Sequence, residues 1–81
     1  MYYVYVLQSL KDKKLYIGHT NNLKRRFQDH NSGQGEATKS RAPFRLVYYE
    51  ACNIIEDAIQ REKQFKTGFG RAYLKRRLSD I

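Results

Sequence analysis

The distribution of apolar and polar residues divides the chain into short elements. Tyr2 to Gln8 is dense in Tyr and Val and predicts a β-strand. The polar run Ser9-Leu10-Lys11-Asp12-Lys13-Lys14 predicts a hairpin loop, and Leu15 to Thr20 a second strand. So short a link cannot hold a parallel crossover, so these strands should pair antiparallel. Thr20-Asn21-Asn22 offers N-cap side chains to a helix predicted from Leu23 to Asn31. Ser32-Gly33-Gln34-Gly35 ends that helix, with glycine free to turn left-handed. A polar loop over residues 33–43 closes at Ala42-Pro43, and Phe44 to Ala51 predicts a third strand. Ile54 to Lys66 predicts a second helix, Gly68-Phe69-Gly70 a break, and Arg71 to Leu78 a short basic helix. The order ββαβαα predicts an α/β fold of the α+β type, with helices covering a small antiparallel sheet. A length of 81 residues fits one domain over residues 1–81. Its core is thin, because a chain this short buries only about 60–65% of its unfolded surface.

The second helix carries the sharpest signal. At about 100° per residue, Ile54, Ile55, Ala58, Ile59 and Phe65 share one arc, and Glu62 lies near its middle. An unpaired carboxylate on an apolar stripe costs several kcal/mol or takes up a proton. Two readings follow: Glu62 pairs with an internal arginine or accepts hydrogen bonds, or it faces a cleft and binds a cation. On the first helix, Leu23 and Phe27 form the apolar face, with Arg26 and His30 flanking it one turn apart. Lys24 and Arg25 point towards solvent. The ordinary account is an amphipathic helix with a snorkelling arginine. Tyr3 and Tyr5 alternate onto one face of the first strand, and Tyr16 precedes Gly18 in the second. Seven tyrosines make strand propensity an adequate explanation by itself. Gly18 inside a strand suggests close approach of another backbone or a ligand.

Charge changes this picture. Sixteen Lys and Arg oppose eight Asp and Glu, a formal net charge of +8, which points to a polyanionic partner, nucleic acid first. The single cysteine, Cys52, cannot form an internal disulfide and reads as a small apolar residue at a strand end. One Cys and two His cannot close a four-ligand zinc site. The apolar start lacks the charged beginning and cleavage site of a signal peptide, and no stretch approaches the ~20 apolar residues of a membrane span. These features predict a cytoplasmic protein without a membrane partner.

Together the residues resemble the GIY-YIG nuclease superfamily. The match rests on Tyr3-Val4-Tyr5, Tyr16-Ile17-Gly18, Asn22-Leu23-Lys24-Arg25-Arg26 and Glu62 on a later helix. Its small stand-alone UPF0213-like members are similar through His30-Asn31-Ser32-Gly33, Gly35, Thr38, Pro43 and Arg61-Glu62 with Lys66. The resemblance implies a three-stranded antiparallel sheet flanked by helices, and a cleft holding one Mg²⁺ or Mn²⁺. It also implies that Glu62 binds the metal and Arg26 contacts the scissile phosphate. Tyr5 and Tyr16 match the signature tyrosines, and His30 a histidine of homing-endonuclease relatives. One departure is that Tyr3 stands where the first motif has glycine. No added DNA-binding domain is visible, so targeting would fall to the domain itself or to a protein partner.

The implied reaction is hydrolysis of nucleic-acid phosphodiester bonds, with DNA favoured over RNA and the protein acting as a monomer. The metal on Glu62 would act as Lewis acid, Arg26 would clamp phosphate oxygens, and Tyr16 would activate water. Tyr5 is the alternative base, and His30 a relay. Lys24, Arg25, Lys39, Arg41, Lys66 and Arg71 are expected to bind phosphates. One alternative is a non-catalytic basic nucleic-acid-binding module with a vestigial site. Another is an assembly domain exposing Cys52, Phe44 or Phe69.

Overall fold

The computed structural model describes residues 1–35 and 38–81. Strands β1 (Tyr2–Ser9), β2 (Leu15–Thr20) and β3 (Phe44–Cys52) alternate with helices α1 (Leu23–Asn31), α2 (Ile55–Phe65) and α3 (Gly68–Arg77) in the order ββαβαα. A 3₁₀ turn at Lys39–Arg41 interrupts the expected polar loop. Residues 36 and 37 of that loop lie outside the described residues. The sheet is antiparallel in the order β2-β1-β3, so β1 is central and buried from Val4 onward.

Period-two alternation sends the residues of β1 to opposite faces. Val4 and Val6 join Ile17 of β2 on the face covered by Ala58 and Phe65 of α2 and Leu74 of α3. Tyr5 and Leu7 join Phe44 on the other face, against Tyr16 and the Leu23 and Phe27 stripe of α1. The result is three layers: α1, the sheet, and the α2–α3 pair. α1 is capped as expected, with the Asn22 side chain accepting from the Arg25 N–H. Past the C-terminus of α1, Gly33 takes a left-handed φ of 84°. The Asn31 side chain then bonds both backbone groups of Phe44, at 2.6 and 3.1 Å, fixing the end of α1 to the start of β3.

Two expectations need correction. Gly68-Phe69-Gly70 does not break the chain between helices; it forms the first turn of α3, capped by the Thr67 hydroxyl accepting from the Gly70 N–H. Glycine is needed at position 70 for space, since a Cβ there would collide with the Gln64 carbonyl of α2. The apolar stripe of α2 is also narrower than the wheel suggests. Ile54 is 53% exposed because it precedes the helix in extended backbone, outside the 100° spacing, and Ile55 in the first turn is 38% exposed.

Arg61 and Glu62 are neighbours in α2 with different destinations. Arg61 lies over the Phe65 ring at 4.3 Å and makes a two-pronged ion pair with Glu50 of β3 at 2.9 and 3.0 Å. Tyr48 donates a third hydrogen bond to Glu50. The arginine's hydrogen bonds hold the Glu50 carboxyl below the usual glutamate range, against the effect of burial. The internal arginine of α2 is thus taken by Glu50, and Glu62 must find other partners. Among the described residues, no helix is long and apolar enough to cross a membrane.

Candidate active site

β1 and β2 place Tyr5 directly opposite Gly18. A Cβ at Gly18 would lie 2.7 Å from the phenol carbon Cζ of Tyr5. The close approach anticipated at Gly18 is therefore made by a tyrosine ring, not by a backbone or a ligand. That ring delivers its hydroxyl to His30 Nε2 at 2.9 Å, and Nδ1 of His30 lies 2.6 Å from the Thr38 hydroxyl. Thr38 in turn donates to the Gly35 carbonyl. The chain is satisfied throughout when Tyr5 donates to Nε2 and His30 donates from Nδ1. A Cβ on Gly35 would lie 2.7 Å from the Thr38 hydroxyl, so glycine lets the loop close over this chain.

Tyr5 is 3% exposed and His30 likewise 3%. Burial, reinforced by Tyr16, pushes the Tyr5 phenol up, with Arg26 opposing. Burial, then Arg26, pushes the His30 imidazole down. Tyr5 thus keeps its proton, and His30 stays neutral at physiological pH. Tyr16 packs on His30 with ring centroids 5.0 Å apart and also lines an open groove.

Glu62 reaches the sheet from the opposite layer. Its carboxylate accepts from His19 Nδ1 at 2.6 Å and from Lys66 Nζ at 2.7 Å, with the side chain 18% exposed. Burial acts to raise its pKa, but the hydrogen bonds from Lys66 and His19 outweigh it and hold the group below the ordinary glutamate range. Glu62 is therefore an ionised, half-buried carboxylate with both oxygens engaged. Sequence reading did not single out His19. Its usable signal is its place two residues after Ile17, on the face of β2 that α2 covers.

The structure gathers Tyr5, Tyr16 and His30 on the α1 side of β2 and Glu62 on the α2 side. Arg26 is exposed beside Thr20, Asn21, Asn22, Arg25 and Asp29, and makes no ion pair among the described residues.

Along the open edge of β2 runs a groove of about 720 Å³. Lys13, Lys14, Arg41, Lys66, Arg71 and Lys75 line it with Tyr16, and among the described residues no acidic side chain does. Of the residues expected to bind phosphates, Arg41, Lys66 and Arg71 lie in this groove. Arg41 also pairs with Asp12 at 3.0 Å. Arg25 shares the Arg26 cleft, Lys24 lies in a separate cleft across α1, and Lys39 is exposed on the 3₁₀ turn. Phe44 is 3% exposed and belongs to the core, whereas Phe69 is 92% exposed. Cys52 is half-buried at the end of β3.

The donor set discriminates between metals. Among the described residues no three His, Cys, Asp or Glu side chains gather to hold an ion. A single carboxylate does not make a closed zinc site. A Mg²⁺-type ion, which keeps several waters and takes its remaining oxygens from substrate phosphate, would suit a single carboxylate, but Glu62 would first have to release an oxygen now held by Lys66 or His19.

A family model for the GIY-YIG catalytic domain matches residues 1–78. A UPF0213 protein of Syntrophus aciditrophicus (strain SB) is 46% identical over 66 residues, 79% of this chain and 75% of that protein. A UPF0213 protein of Bacillus pumilus (strain SAFR-032) is 43% identical over 67 residues, 82% of this chain and 67% of that protein. The solution NMR structure of the UPF0213 protein BH0048 from Bacillus halodurans matches with a TM-score of 0.55 at 37% identity, covering 91% of this chain and 82% of that one.

Proposed function

Since the chain belongs to the GIY-YIG family, we propose that it is a divalent-metal-dependent endonuclease acting on nucleic acid at the β2 edge. The observation that carries this reading is Glu62, an ionised carboxylate paired with Lys66, which is itself one of six cations that line the groove. A Mg²⁺ or Mn²⁺ ion on Glu62 would supply Lewis-acid stabilisation of charge on the phosphate.

The chain's own residues divide the remaining work. Lysines and arginines of the groove hold the backbone of the nucleic acid by charge, with affinity that falls steeply with salt. Arg26 presents a planar fork to the non-bridging phosphate oxygens, where charge grows as the reaction proceeds. Tyr16 accepts a hydrogen bond from the attacking water and aims its oxygen at phosphorus, in line with the bond to the leaving sugar oxygen. Tyr5 and His30 hold Tyr16 in place from behind. Arg26→Ala is expected to lower cleavage about a hundredfold or more without lowering the melting temperature. Equal cleavage by wild type and this variant, across DNA and RNA substrates in Mg²⁺ and Mn²⁺, would remove Arg26 from the site.

Lys66 occupies one Glu62 oxygen at 2.7 Å. An incoming phosphate offers Lys66 another anion and leaves that oxygen free for a cation. Lys66→Met should therefore bind Mn²⁺ several-fold more tightly by electron paramagnetic resonance. The same variant should bind nucleic acid more weakly, with a shallower salt dependence. Unchanged Mn²⁺ affinity would mean that the lysine does not compete for the carboxylate.

The engaged state of Glu62 also favours a second reading, a basic module that binds nucleic acid without cutting it. Tight, salt-sensitive binding with no cleavage of any substrate in either metal would select that reading.

A further inference from the structure

Across α1 from Arg26 lies a second cleft, of about 550 Å³, between α1 and the free edge strand β3. Three rings, Tyr3, Phe27 and Tyr49, line it together with Leu23 and Leu46. Tyr49 is 52% exposed, and Tyr3 supports it edge to face with ring centroids 6.1 Å apart. A single exposed tyrosine is ordinary. A braced tyrosine beside a second and third ring is a stacking platform. Its polar lining is Asn21, Asn22, whose side-chain oxygen caps α1, and Lys24, and among the described residues no acidic side chain lines it. Side-chain amides pair with the donor and acceptor edges of bases, and a lysine pairs with phosphate.

Asn21 and Asn22 also line the cleft that holds Arg26, so the two clefts meet at the start of α1. We propose that the aromatic cleft is a nucleobase subsite, taking an unstacked base next to the phosphate that Arg26 holds. The proposal rests on the nuclease reading of Arg26 given above. It adds a substrate class: single-stranded, flapped or branched nucleic acid with an unpaired base beside the cleaved bond. A continuous duplex keeps its bases stacked and offers this cleft no π-face. Lys24 at this cleft, with Arg25 and Arg26 in the adjoining cleft beside a single acid, Asp29, favours a polyanionic strand over a neutral apolar peptide as the occupant.

The test is an NMR titration of the isotope-labelled protein with three probes: a short oligothymidine, an abasic strand of equal length, and a blunt duplex. Oligothymidine should shift the Tyr3 and Tyr49 ring signals, while the abasic strand and the duplex should shift only the basic residues. Tyr49→Ala should weaken oligothymidine binding about tenfold and leave abasic-strand binding unchanged. Tyr49→Leu, which keeps apolar bulk on the strand, should lose as much. Equal loss for the abasic strand, equal ring shifts with duplex, or no loss at all would overturn the subsite. Shifts at Arg26 without shifts at Tyr49 would overturn the subsite alone. No shift at Arg26 or Lys24 with any probe would overturn the nuclease reading and the subsite with it.

Discussion

Glu62→Gln should abolish metal-dependent cleavage, by about a thousandfold or more, in a protein that still folds. Glutamine keeps the size of the side chain and one oxygen that can accept from His19 or Lys66. It lacks the charge that a hard cation requires. The stability cost should be small, because His19 and Lys66 are 35% and 53% exposed and solvent screens their pairing with Glu62. The sign of its pH dependence follows from the depressed pKa of Glu62. A carboxylate held below its unfolded pKa of about 4.3 stabilises the fold above that pH and loses the contribution in acid. Wild type should therefore melt slightly above the variant near neutral pH, and the two should converge as pH falls below about 4. Mn²⁺ titration of both proteins, beside the cleavage assay, separates loss of the ion from loss of the fold. Full cleavage by Glu62→Gln would place the catalytic centre elsewhere.

Phe65→Ala should carry the largest stability penalty of any single truncation in the core, about 3–5 kcal/mol. Phe65 is 0% exposed and belongs to the cluster that joins Val4, Val6 and Ile17 to Leu74. Its ring also stacks on Tyr73 at 6.1 Å, meets Tyr48 edge-on at 6.0 Å, and lies beneath the Arg61 guanidinium. Truncation removes the support of Arg61 as well as apolar contact. Small domains are stable by only about 5–15 kcal/mol, so much of the variant should be unfolded well below the wild-type melting temperature. Because α2 carries Glu62, its cleavage should fall with the folded fraction. Urea unfolding of Phe65→Ala beside Ile55→Ala makes the check, since Ile55 is 38% exposed and should cost far less. Equal midpoints for the two would mean that Phe65 is not central to the core.

Much of this was legible in the sequence, and particular residues show why. The strands and α1 were predictable to within a residue because their signals are local: Tyr and Val density, Asn22 as cap, Gly33 after the last turn. The misread segment was Gly68-Phe69-Gly70. Glycine has poor helix propensity, but Gly70 is needed where α3 crosses Gln64, and that crossing is a tertiary contact. The inward turn of Glu62 came from helical periodicity alone. Its partners did not, because His19 is 43 residues away and reaches it only when α2 packs on β2.

The segment from Tyr16 to His30 shows the same division. By itself, the sequence determined the elements, the surplus of positive charge and the presence of an acid on an apolar stripe. Those properties depend on spacing along one strand or helix and on simple counting. Only the tertiary structure decided that Gly18 makes room for Tyr5, that Tyr5 is bonded to His30 and buried, and that Tyr16 instead faces the groove. It alone gave Arg61 to Glu50 and Glu62 to His19 and Lys66. Each of those outcomes is a pairing between residues far apart in the chain, and register and layer packing select such pairs after the local pattern has been satisfied.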